Sequence, residues 1–226
     1  MAAFLLAGCQ LGGSSTAAPG STPSGNAATP TQRPAYIYVA IGASETFGQG
    51  ADRPATQNYP ILLGAHLVKG AQVINLGIPG ETAPEAVRDE LPEALDVKPN
   101  LVTVWLGVND IAQGESLGDY QQGLDNILAQ LATDGHPRIA VANIPDLNYV
   151  PRFYGSPVLG EVLQWNKIIA QEVKAHGDIL VDMYSASSEL LGHPEYISGD
   201  QLHPSTQGYR QIANFFYQVL KANGVI

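Results

Sequence analysis

The sequence predicts an α/β protein, a three-layer α/β/α sandwich built on a five-stranded parallel sheet. Three observations predict it. Short β-branched and aromatic runs alternate with helical segments along the chain, the pattern of repeated right-handed crossovers. The run at 101–106 (LVTVWL) is apolar without interruption, as a strand covered on both faces must be. Polar and glycine residues suited to chemistry stand just after several of the runs, where open parallel sheets bind ligands.

Each element has a local reason. Residues 36–42 are β-branched and aromatic and end at Gly42, which marks a strand. Pro60 suits the first turn of a helix reaching about Val68. Residues 72–76 form a second strand, and 82–95 a helix that Pro92 breaks or kinks. After the strand at 101–106 come a helix at 119–133 and a strand at 138–143. A long helix follows at 158–176 and a fifth strand at 179–183. Tyr209, Ile212, Phe215, Phe216, Val219 and Leu220 recur at helical spacing on one stripe of a last helix, closed by Asn223 and Gly224.

A chain of 226 residues suits one globular domain, and 45% apolar with 14% charged residues suits a buried core. The net charge of −10 argues against a nucleic-acid partner. One cysteine permits no intramolecular disulfide, and no apolar run is long enough to span a bilayer. The N-terminus reads differently from the rest. Residues 1–9 (MAAFLLAGC) are apolar and end in Leu6, Ala7 and Gly8 before Cys9, a remnant that resembles a bacterial lipobox with Cys9 as the lipidated residue. Residues 10–34 are dominated by Gly, Ser, Thr, Ala, Pro, Gln and Asn and read as a flexible linker. Such a linker reaches roughly 25–30 Å if it behaves as a Gly/Ser coil. The expectation is an exported protein, anchored at the cell surface or in the periplasm through Cys9 or else secreted, with its folded domain at 35–226.

Four segments carry the residue types of acyl transfer. Gly42, Ala43 and Ser44 follow the first strand, where a serine can expose its hydroxyl and offer its own N–H to a substrate oxygen. Gly77 follows the second strand and lets a backbone N–H come close to a ligand. Asn109 follows the third, a neutral amide suited to a developing oxyanion. Asp200 and His203 share one loop before the last helix, close enough for the acid to hold the ring tautomer. Taken singly, each has a bland reading: a common strand-end turn, a helix cap, a loop closure. The force lies in all four standing in this order.

Together these segments resemble the four sequence blocks of the SGNH (GDSL-type) hydrolase superfamily, over nearly all of residues 36–226. The resemblance implies a flavodoxin-like sandwich with Ser44 as nucleophile, His203 as general base and Asp200 as the acid that orients it. It also implies an oxyanion hole of the Ser44 N–H, Gly77 and Asn109, and no metal or organic cofactor. The segment Asn143-Ile144-Pro145-Asp146 resembles bacterial members as well. One departure stands out: the usual Gly-Asp-Ser reads Gly42-Ala43-Ser44 here. Thr46 stands where Gly-x-Ser-x-Gly would have its second glycine, which separates the chain from the α/β-hydrolases.

The expected reaction is hydrolysis of a short-chain acyl, acetyl-sugar or lysolipid ester. An acyltransferase with the same triad is one alternative, and a non-catalytic, surface-anchored binding lipoprotein is another. The expected partner is a small-molecule or lipid ester, with membrane contact only through the anchor. His66, His136 and His176 are not expected to be ligands, and His193 lacks an acid three residues earlier, where Leu190 stands. Asp110 is expected to be structural, Glu45 solvated and Trp105 core. Tyr149, Phe153 and Tyr154 either line an acyl or sugar pocket or pack on the sheet edge.

Overall fold

Five parallel strands form the sheet of this computed structural model: β1 (Ile37–Gly42), β2 (Gln72–Asn75), β3 (Leu101–Trp105), β4 (Arg138–Ala142) and β5 (Ile179–Val181), in the order β2-β1-β3-β4-β5. The structure describes residues 36–133, 135–190 and 192–226; the leader, the linker and Cys9 lie outside the described residues. Register runs Tyr38↔Leu101 to Gly42↔Trp105 between the two central strands. The order reverses between β1 and β3, so the crevice at their carboxyl ends is the switch point of the sheet.

The ten α-helices among the described residues are α1 (Ser44–Phe47), α2 (Pro54–Gln57), α3 (Tyr59–Gly64), α4 (Ala83–Asp89), α5 (Leu91–Asp96), α6 (Val108–Gln113), α7 (Leu117–Thr133), α8 (Val162–His176), α9 (Met183–Ala186) and α10 (Thr206–Ala222). Successive strand side chains point to opposite faces, and here both faces are covered. Ile37, Val39, Ile41, Val102, Val104, Ile139 and Val141 pack with Ala83, Leu91, Leu124, Ile127 and Ile169 of α4, α5, α7 and α8. On the other face Tyr38, Ala40, Leu101 and Ala140 pack with Tyr59 and Leu63 of α3 and with Tyr209, Phe216 and Leu220 of α10. Tyr59 and Phe216 stack with centroids 4.7 Å apart, joining α3 to α10.

Two expectations are corrected, at the helix of 60–68 and at the last strand, while the break expected near Pro92 is present. The helix at 60–68 ends at Gly64, a residue whose missing side chain lets Val73 of β2 approach. The helix at 82–95 is two helices that meet at Glu90, two residues before Pro92. The last strand stops at Val181, because Asp182 caps α9 by accepting the Ser185 N–H, so Met183 is helical.

Candidate active site

The loop before α10 is a self-contained hydrogen-bonded unit. Ser198 N–H donates to the His203 carbonyl at 2.8 Å and Ser205 N–H to the Tyr196 carbonyl at 2.8 Å, closing the loop around Asp200. Asp200 Oδ2 accepts from His203 Nδ1 at 2.7 Å. Its Oδ1 accepts from the Ser198 hydroxyl at 2.7 Å, the Leu202 N–H at 2.8 Å and the His203 N–H at 2.9 Å. Partial burial would raise this carboxyl, but the His203 ring and the other donors outweigh it and hold Asp200 well below the usual carboxylate range. A carboxylate that accepts from Nδ1 fixes that nitrogen as the N–H and leaves Nε2 as the basic one.

Ser44 is the first residue of α1, so its N–H has no carbonyl within the helix to bind. Only 6% of Ser44 and 7% of His203 is exposed. The segment after α1 and the histidine loop are pressed together at Gly50, where a Cβ would lie 2.9 Å from that of His203 and 2.6 Å from the Pro204 carbonyl oxygen. From α10, the Tyr209 hydroxyl donates to the Gln49 carbonyl at 2.7 Å and lies 3.5 Å from that of Ser44. The Ser44 hydroxyl itself donates to Glu45 Oε2 at 3.1 Å, and among the described residues no hydrogen bond joins it to His203. Glu45 is therefore half-buried and engaged rather than solvated as expected.

The remaining blocks close on the same turn. A Cβ at Gly77 would stand 2.5 Å from the Phe47 nitrogen, so only glycine lets this loop lie against α1. Asn75 Nδ2 donates to the Thr46 carbonyl at 2.7 Å, while its Oδ1 takes the Gly77 N–H at 3.0 Å. Asn109 Nδ2 donates to the Glu81 carbonyl at 3.0 Å, which orients the amide and leaves its second hydrogen free of that bond. Asp110 is fully buried and structural as expected: its Oδ1 accepts the Ala83 N–H at 2.7 Å, at the start of α4.

Three carboxyl groups are buried beneath this side of the site. Glu81, Glu90 and Asp110 each keep one oxygen without a hydrogen-bond partner among the described residues. Burial pushes Glu90 up to about 9, against the N–H of Gly42 that it accepts. Burial, with Glu85 and Asp89 adding, pushes Glu81 up to about 7. Burial pushes Asp110 up to about 6 against the Ala83 N–H.

An apolar cavity of about 120 Å³ adjoins the site, lined by Trp105, Val150, Phe153, Met183 and Phe215 with Glu45 among its few polar neighbours. Trp105 is thus both core and cavity wall. Phe153 of the aromatic loop faces the cavity, while Tyr154 is exposed. His193 pairs with Glu195 at 2.8 Å and stacks on Tyr196, away from Asp200's partners. Asp125, Glu172 and His176 bring their ligand atoms within 4.8 Å of one another across α7 and α8. They are already partnered, His176 Nε2 with Asp125 at 2.8 Å and Glu172 with the Gln121 amide at 2.7 Å. Sequence reasoning missed Ser198, Asn75, Glu90 and Tyr209. Asn75 and Ser198 stand two residues from Gly77 and Asp200, beside the expected site residues, whereas only the fold brings Glu90 and Tyr209 to the site.

The GDSL-like lipase/acylhydrolase family matches the chain over residues 40–211. An acetylxylan esterase of Geobacillus stearothermophilus is 23% identical over 155 residues, which are 65% of this chain and 71% of that protein. A lipase/acylhydrolase from Enterococcus faecalis superposes with a TM-score of 0.66 at 20% identity, covering 83% of this chain and 96% of its own. A psychrotrophic esterase from Pseudoalteromonas, inhibited by monoethylphosphonate, superposes with a TM-score of 0.66 at 19% identity, covering 82% and 97%.

Proposed function

The chain belongs to the GDSL-like lipase/acylhydrolase family and is a carboxylic ester hydrolase, and from that premise we propose that it works through an acyl-enzyme on Ser44, with His203 as base and Asp200 orienting the ring. The observation that best supports this reading is the Asp200–His203 pair. A carboxylate saturated with donors fixes the ring at 2.7 Å, on a loop pressed against the segment that follows Ser44.

Serine is a poor nucleophile until a base takes its proton. The Ser44 hydroxyl turns from Glu45 to His203 Nε2, gives up its proton and attacks the ester carbonyl carbon. Asp200 stabilises the imidazolium that results. Negative charge collects on the carbonyl oxygen, where the Ser44 N–H, the free hydrogen of Asn109 and the Gly77 N–H receive it. Because Gly77 already donates to Asn75, Ser44 and Asn109 carry the larger share. The bond to the alcohol oxygen breaks as His203 protonates it. Water then repeats the sequence on the acyl-serine and releases the acid. Every proton is handled by His203, so the cycle needs no metal or organic cofactor.

The apolar cavity is assigned to the acyl group, which favours short- to medium-chain acyl esters; a chain-length series on p-nitrophenyl esters reads this directly. Ser44→Ala is expected to lose kcat by roughly 10⁴–10⁶ on p-nitrophenyl butyrate with an unchanged melting curve. Retention of a tenth of the activity would remove Ser44 from the role. If added alcohols captured most of the acyl group in place of water, the protein would be an acyltransferase. We also place the lipid anchor at Cys9, on the strength of Leu6-Ala7-Gly8 before it and the polar linker after it. In a bacterial host Cys9→Ser should shift the protein from membranes to the soluble fraction. A wild-type protein found soluble with a free Cys9 thiol overturns the assignment.

A further inference from the structure

Glu90 occupies the joint between α4 and α5, where Pro92 prevents one continuous helix, and it is 1% exposed. A glutamate at a helix joint ordinarily faces water. This one reaches instead to the end of β1, where its Oε2 accepts the Gly42 N–H at 2.8 Å. Gly42 is the last residue of β1 and stands two residues before Ser44. The turn between them has no cap of its own. Ala43 is at the N-cap of α1 with no side-chain hydrogen bond, a position where Ser, Thr, Asp or Asn would supply one. The other ties fall on different groups: the Ile78 N–H donates to the Gly42 carbonyl at 3.0 Å, Asn75 holds the Thr46 carbonyl and Tyr209 the Gln49 and Ser44 carbonyls, so Glu90 alone takes up the Gly42 N–H among the described residues.

We propose that Glu90 is a positioning residue for Ser44: by holding the Gly42 amide it sets the direction in which β1 delivers the nucleophile, a support that Ala43 cannot give. This rests on the reading of Ser44 as nucleophile.

The protonation state of Glu90 follows from what surrounds it. The charged groups acting on it are Glu81, from the segment ahead of α4, and Asp89 of α4, both acidic. The titratable group facing it from α3 is Tyr59, a buried phenol pushed up to about 12. A carboxylate among these would have no cation to balance it, and Oε1 has no partner among the described residues. Glu90 is therefore held as the acid, whose carbonyl oxygen can still accept the Gly42 N–H. Its folded value lies above the unfolded value of about 4.3, so its contribution to stability is full below that pH and is lost as pH rises towards about 9. Glutamine keeps the accepting oxygen and cannot ionise; alanine removes the bond.

The experiment compares E90A and E90Q with wild type and with Ser44→Ala. It measures kcat and KM on p-nitrophenyl butyrate, and thermal unfolding from about pH 5 to about pH 9. E90A is expected to lower kcat roughly 10- to 100-fold through misplacement of the serine, with KM little changed. E90Q is expected to keep most of kcat and to lose less Tm than wild type as pH rises. Wild-type kcat in E90A, or an E90Q as impaired as E90A, overturns the proposal. If E90A does not fold, E90Q decides alone: a lost kcat or an unchanged pH slope refutes the role. A Ser44→Ala protein that stays active instead removes the reading beneath it, whereas an inactive Ser44→Ala beside a fully active E90A refutes Glu90 only.

Discussion

The site contains two kinds of carboxyl, one in the loop that carries His203 and one against Gly42, two residues before Ser44. Asp200 has a side chain 42% exposed and accepts hydrogen bonds from the His203 ring, two backbone N–H groups and a hydroxyl. Glu90 is 1% exposed and accepts one. The first is held as an anion and the second as an acid, although neither has a lysine or arginine bonded to it among the described residues. Donor count against burial decides the charge: several fixed dipoles replace the water that Asp200 gives up, and one does not do so for Glu90. The two regions then divide the work. In the proposed mechanism the donor-rich loop manages the moving proton, and the acidic, donor-poor side holds the Gly42 backbone N–H.

The contrast can be broken at its strong end first. Asp200→Asn preserves the shape of the loop but offers the ring an amide that can favour the wrong tautomer. It should cost roughly 10⁴ in kcat, with the melting curve at neutral pH nearly unchanged. A loss under tenfold would mean that His203 is oriented by something other than Asp200. Asn109→Ala sharpens the contrast, because in the proposed mechanism Asn109 meets the oxyanion and not the proton. It should lower kcat by roughly 10²–10³ with little change in KM, and the histidine limb of the pH–rate profile should stay where it is. A rise in KM with kcat intact would make Asn109 a substrate-binding residue.

The smallest effect concerns stability. Glu90, Glu81 and Asp110 have folded values raised to about 9, 7 and 6, so the fold should lose stability as pH rises from about 4 through that range. Asp200 is lowered, so its contribution is present above the unfolded value of about 3.9 and is lost as pH falls below it. A melting maximum near pH 5 is the combined expectation. Asp110→Asn keeps the oxygen that holds the Ala83 N–H and removes the charge. It should raise Tm by a few degrees at about pH 8 and leave kcat close to wild type, whereas a lower Tm at that pH would show that Asp110 is ionised in the fold.

The architecture was legible in the sequence because burial on both faces forces unbroken apolar runs, and α10 because one stripe of it faces the sheet. The short helices were not. At four to six residues, α1, α2, α6 and α9 contain too few turns for an apolar period to show. The Asp200–His203 pair was legible because both residues stand three apart on one loop before α10. Glu90 was hidden for the opposite reason: its neighbours Arg88, Asp89 and Glu93 give it the look of a charged surface, and only the break at Pro92 turns it inward. Glu45 was misread as solvated because adjacency to Ser44 in sequence says nothing about where a flexible carboxylate finds its donor.

The clasp from Tyr209 onto the Gln49 and Ser44 carbonyls has a temporal meaning. Tyr209 follows Ser44 by 165 residues, and His203 is nearly as late. At a synthesis rate of roughly 5–20 residues per second, about 8–33 s separate the emergence of the serine from that of the residues that arm it. In the proposed mechanism, a ribosome-bound or prematurely terminated chain that ends before His203 lacks both the base and the clasp on the turn. Under the proposed roles, ester cleavage would report a chain synthesised through α10 rather than one that stops before it.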